Sequence, residues 1–82
     1  VTELVFDQTA KAVVTELISQ VNSIPSKDIQ PTDRLIIDLL FDSVELIDLI
    51  MKLEEVGVVL SESDISVNLT VADIIHLVQE VM

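Results

Sequence analysis

Apolar residues at Phe6, Ala10, Val13, Val14, Leu17, Ile18 and Val21 recur at three- and four-residue steps, the signature of one helix face. Glu3, Asp7, Lys11 and Glu16 fall mainly off that face. The spacing predicts a first helix over about 2–21, with Thr2 and Asp7 as alternative caps, ending before Pro25 because proline disfavours helix in the preceding residue. A connection over 23–41 follows, with Pro25, Ser26, Asp28, Pro31, Thr32 and Asp33 as turn formers. A loop of that length is often functional. Its apolar residues, Ile24, Ile29, Leu35, Ile36, Ile37, Leu39 and Leu40, are expected to plug it onto the core, with room for one short helical turn within 35–40. No β-strand is expected, since Ile36-Ile37 has no evident partner.

The second helix runs from Ser43 to about Val56 and stops at Gly57, the only glycine and a natural residue just past a helix end. Leu46, Leu49, Ile50 and Leu53 form its inner stripe, and Glu45, Asp48, Lys52 and Glu55 a mostly acidic one. Val44, Ile47, Met51 and Glu54 make a third row. That row reads either as a wider buried face or as a partly exposed ridge for docking a partner. Val58-Val59-Leu60 form an apolar connector, and a short third helix is expected over about 62–67. Thr70 opens the last helix, with Asp73 placed as a capping-box partner and Val71, Ile74, Ile75, Val78 and Val81 on its apolar face. The pattern therefore predicts an all-α fold, a four-helix bundle with a long first loop and a short third helix. Without a linker or repeat, 1–82 reads as a single domain.

Composition narrows the functional classes. Half the residues are hydrophobic, with two Phe and no Trp or Tyr, so the core must be aliphatic. The absence of cysteine removes polypeptide thiol chemistry, and any thiol must be imported. Four basic residues against 15 acidic ones leave a net charge of −11. That charge repels nucleic acid and anionic membranes and attracts basic protein patches, or serves solubility alone. No apolar run approaches the ~18 residues of a membrane span, and no secretory pattern opens the chain. A cytoplasmic monomer is expected. His76, the lone histidine, sits among apolar residues of the last helix and reads as structural or surface; with no G-x-S-x-G turn, a Ser–His–Asp centre is not expected. One histidine and no cysteine or glycine-centred calcium loop give no metal site.

The candidate chemistry lies in the stretch from Asp38 to Glu55. Asp42 can cap the second helix, Glu45 can return a hydrogen bond, and Ser43 then falls at the first helical position. A short side chain there faces solvent at the positive end of the helix dipole, where an attached anion is favoured. Serine is also ordinary at that position, and the local pattern alone leaves both readings open. Asp42 likewise has two compatible roles, as the cap and as a carboxylate that binds metal or orients the serine hydroxyl during modification.

Asp38-Leu39, then Asp42-Ser43-Val44-Glu45, then Leu53-Glu54-Glu55, resembles the pattern of the acyl and peptidyl carrier proteins. The resemblance implies the four-helix carrier fold, with 4′-phosphopantetheine, drawn from coenzyme A, on Ser43 and an acyl or aminoacyl thioester on its thiol. It implies a non-catalytic carrier served by a phosphopantetheinyl transferase and by loading and processing enzymes with basic docking patches. Val44, Glu45, Ile47, Asp48, Met51, Glu54 and Glu55 would contact those enzymes. Asp before the serine and the acidic second helix look like discrete acyl carriers of fatty-acid or polyketide synthesis. One departure stands out: Leu40 occupies a position where the family usually has glycine, which points away from a housekeeping fatty-acid carrier and towards a specialised pathway. An aminoacyl or peptidyl carrier of nonribosomal synthesis is the alternative, and an unmodified acidic interaction module is the alternative of another class.

Overall fold

The computed structural model describes residues 8–81. Among these residues three α-helices carry the fold: α1 (Gln8–Asn22), α2 (Ser43–Glu55) and α3 (Val71–Val81). Single 3-10 turns at Ser26–Asp28 and Glu62–Asp64 punctuate the two connections. The expected start of the first helix, with Thr2, Phe6 and Asp7, lies outside the described residues. Within them, Ala10, Val14 and Ile18 are fully buried, the face that the spacing picked out. Thr15 is buried beside them and donates its hydroxyl to the Lys11 carbonyl at 2.9 Å, an i–4 bond that satisfies it without leaving the helix. α1 packs against both α2 and α3, while those two do not approach each other closely.

The expected short third helix over about 62–67 is corrected to one 3-10 turn, which leaves three α-helices among the described residues. Ile65 and Val67 are its only apolar residues and stand two apart, so no helical face could bury them together. Ile65 is half-buried and Val67 exposed. Asp64 instead closes the turn, accepting from the Ser61 backbone N–H at 3.0 Å and from its hydroxyl at 2.9 Å. Those two donors, the backbone one first, hold its carboxyl below the ordinary range.

Both ends of α2 and the start of α3 follow the sequence. Gly57 has φ +98°, its N–H donates to the Glu54 carbonyl, and the Val58 N–H donates to that of Leu53 at 2.9 Å. This paired arrangement closes a helix through a left-handed residue, which glycine adopts without a Cβ penalty. At α3 the Thr70 N–H donates to Asp73 Oδ2 and the Asp73 N–H to Thr70 Oγ1, a reciprocal capping box.

The long first connection is pinned at its middle. An isolated antiparallel bridge joins Arg34 to Thr70: the Leu35 N–H donates to the Leu69 carbonyl and the Val71 N–H to that of Asp33. No strand forms among the described residues, but this pairing carries no sequence signal of its own. After it the chain turns tightly, with the Asp38 and Leu39 N–H groups both donating to the Arg34 carbonyl. The turn sends Leu35 and Leu39 into the core and leaves Ile36 half-buried. Ile37 and Leu40, expected as plugs, are exposed: one tight turn cannot aim all five apolar side chains of residues 35–40 inward. Phe41 returns to the core. The Asp38 carboxylate accepts from the Arg34 backbone N–H at 2.8 Å and from its guanidinium at 3.2 Å, which holds its carboxyl below the usual value.

Candidate functional site

The pinned connection ends by presenting α2. Asp42, extended at φ −93° and ψ 178°, caps the helix: its Oδ1 accepts the Glu45 N–H at 2.8 Å, and Glu45 Oε1 accepts the Asp42 N–H at 3.1 Å. Ser43 is the first helical residue and is exposed. Among the described residues no hydrogen bond engages its hydroxyl. A helix leaves its first N–H groups without intrahelical partners. The capping box takes two of them, so the Ser43 and Val44 N–H groups stay free for an anion on the serine oxygen. Both neighbouring carboxylates are turned back onto the backbone by the same box. An esterified phosphate at Ser43 would therefore find an accessible oxygen, two N–H donors and a favourable dipole.

Behind the serine, α2 divides as the sequence suggests. Leu49 and Leu53 are buried, with Leu46 and Ile50 packed partly against the core. The third row is a ridge and not a wider buried face: Val44 is 73% exposed, Ile47 52% and Met51 60%. Asp48, Glu54 and Glu55 are exposed beside it, and Glu45 is half-buried by its capping bond. Lys52 reaches Asp48 at 3.8 Å, a solvent-exposed i,i+4 pair of little energetic weight. His76 is exposed on α3.

On its other side the serine borders an apolar groove of about 320 Å³ lined by Ser43, Leu46, Ile47, Ile50 and Ile65. The groove exists because the connection after the Glu62–Asp64 turn faces α2 with the half-buried Ile65 without a helix to close the gap. The sequence reading placed Leu46 and Ile50 in the core stripe and gave Ile65 no role. The missing signal was the length of the third helix, which decides whether this side of α2 is covered.

The backbone at Leu40 is the other feature of the site. Its φ is +58°, in the left-handed region that bulky residues rarely enter. The residues on either side hold it there. Asn22 Nδ2 donates to the Leu39 carbonyl at 3.0 Å, and the Phe41 N–H donates to that of Leu35 at 3.0 Å. At the position where the carrier pattern that the sequence resembles has glycine, this chain keeps the glycine-like backbone and places a leucine on it.

Comparison with curated proteins and with solved structures finds no match. The family model described as the phosphopantetheine attachment site matches residues 12–78. With an exposed serine opening a capped helix in that span, in an all-helical chain with no helix long and apolar enough to cross a membrane among its described residues, the chain belongs to the phosphopantetheine attachment site family, whose domains are carriers bearing a covalent 4′-phosphopantetheine arm.

Proposed function

We propose that Ser43 is the attachment residue and that the cargo is an acyl group, carried for fatty-acid, polyketide or specialised natural-product biosynthesis. The apolar groove that starts at the serine supports this choice. Its volume is at the lower end of the range of small-molecule sites, and its lining beyond the serine is aliphatic. An aliphatic chain gains by leaving water there. A charged aminoacyl group would lose hydration without compensation. Nonribosomal aminoacyl or peptidyl carriage is the second reading, and Leu40 at the usual glycine position is what keeps it in view.

In loading, the Ser43 hydroxyl oxygen bonds to the pantetheine-side phosphorus of coenzyme A, adenosine 3′,5′-bisphosphate leaves, and the hydroxyl proton passes to the transferase. The attached arm supplies a terminal thiol for thioester cargo, a group that this cysteine-free chain lacks. The chain itself catalyses nothing in this reading. Its residues present the hydroxyl, neutralise part of the phosphate charge through the Ser43 and Val44 N–H groups, and offer a docking ridge. The net charge of −11 favours a monomer that meets basic partner surfaces; the cytoplasm is the proposed compartment.

Incubation with coenzyme A, magnesium and a phosphopantetheinyl transferase, read by intact mass, should add one phosphopantetheine. Acyl-donor enzymes should then charge the arm faster than aminoacyl-donor enzymes; the reverse order would transfer the assignment to nonribosomal synthesis. A folded sample that gains nothing from several transferases would favour the unmodified interaction module.

Val44, Glu45, Ile47, Asp48, Met51, Glu54 and Glu55 form the proposed partner surface, with charge setting the rate of encounter and the apolar row setting its lifetime. Glu54 is the clean probe, because Asp48 shares its charge with Lys52. Glu54→Lys should slow association with the transferase by roughly three- to tenfold at low salt and flatten its salt dependence, with folding unchanged. Unaltered association kinetics in stopped flow would remove the steering role.

A further inference from the structure

Leu40 gains little from the fold in exchange for its backbone geometry. Its φ of +58° is a conformation in which the Cβ of an L-residue crowds the neighbouring carbonyl. Its side chain is 76% exposed and buries almost nothing in return. The chain on both sides is fixed: Leu39 and Phe41 are in the core, and Asn22 grips the Leu39 carbonyl. Glycine or asparagine would fit the same backbone with less strain. Strain of this kind concentrates where a ligand or partner is gripped.

The position of the side chain indicates what could grip it. Leu40 lies three residues before Ser43, so the two Cα atoms are at most about 11 Å apart. Any enzyme that closes on the Ser43 hydroxyl must cover this neighbourhood. Leu40 and Val44 stand on opposite chain sides of the serine, and Ile37 and Ile47 are exposed beyond them. Asp38 and Asp42, both exposed, are two residues away on either side of Leu40. Along the chain, exposed apolar residues thus stand on both sides of the serine, while the Asp38 carboxylate is already paired with Arg34 and that of Asp42 accepts the Glu45 N–H.

We propose that Leu40 is a specificity-determining anchor that seats in an apolar recess on the enzyme that loads Ser43. The inference rests on the carrier reading of Ser43. Leu40 touches no reacting atom, so it acts on the association of the two proteins and not on the chemical step.

The test uses the full chain and three variants, Leu40→Gly, Leu40→Asn and Leu40→Met, with coenzyme A, magnesium and a panel of phosphopantetheinyl transferases. Kinetics are measured with the panel member that loads the parent fastest. Leu40→Gly and Leu40→Asn should raise the Tm, because they relieve the backbone, and yet lower kcat/KM roughly tenfold or more through KM with kcat retained. Leu40→Met keeps the apolar reach and should load like the parent. Equal kcat/KM for the parent, glycine and asparagine variants would overturn the anchor while leaving the carrier reading in place. A folded parent that no transferase modifies would overturn both.

Discussion

Replacing Ser43 with alanine should abolish the gain of phosphopantetheine and leave the fold as it is. The side chain is exposed and makes no hydrogen bond among the described residues, and the cap at this helix end is built by Asp42 and Glu45. Surface substitutions of this kind stay within about 0.5 kcal/mol. For a domain of this length that is a Tm change within about 4 °C. Loss of loading can then be assigned to the missing oxygen and not to a damaged domain. The result also discriminates among hydroxyls. Ser19, Ser23, Ser26, Ser61, Ser63 and Ser66 are described as well, but Ser43 alone opens an α-helix and borders the groove. Ser61 spends its hydroxyl on Asp64, and Ser66 accepts the Asn68 N–H. Intact mass with a circular-dichroism melt settles the matter. An alanine variant that still gains the arm would place attachment elsewhere.

The parts of the fold that were legible are those with a local cause. Gly57 ends α2 because left-handed backbone favours glycine, and Thr70 with Asp73 starts α3 because the two side chains satisfy each other's backbone donors. The Asp42–Glu45 box, which places Ser43, is of the same kind. Hydrophobic spacing also located the buried faces of α1 and α3, except that Val81, expected on the apolar face of α3, is the last residue of the helix and is exposed. It could not decide the row of Val44, Ile47 and Met51, since spacing shows which residues share a face and not whether another element covers it. That depended on tertiary structure: α1 takes one side of α2, and among the described residues no further helix arrives on the others. The loop was legible as a whole but not residue by residue. Leu35, Leu39 and Phe41 point inward while Ile37 and Leu40 point out, because a bridge between Arg34 and Thr70, far apart in sequence, fixes where the turn begins. Leu40 is legible as a departure from the glycine of the pattern that the sequence resembles. Its retention of the left-handed backbone could be seen only once the neighbouring carbonyls were known to be held.

Leu35→Ala should be one of the most damaging substitutions in the connection that delivers the serine. Leu35 is fully buried, so truncation removes its transfer energy and leaves a cavity, together about 2–5 kcal/mol. Natural domains have only about 5–15 kcal/mol in total, and small ones bury proportionally less of their surface. The Tm should fall by roughly 10–25 °C. Ile36→Ala, one residue along and only half-buried, should cost well under half as much. The two variants also separate stability from positioning. The backbone of Leu35 donates to Leu69 and accepts from Phe41, so its side chain anchors the segment from which Asp42 and Ser43 emerge. Loading measured at a temperature where Leu35→Ala is still folded should therefore be slower than in the parent. Ile36→Ala should load normally. If Leu35→Ala loads at the parent rate whenever it is folded, the buried leucine serves stability alone, and the position of Ser43 is set by the α2 capping box without help from the loop.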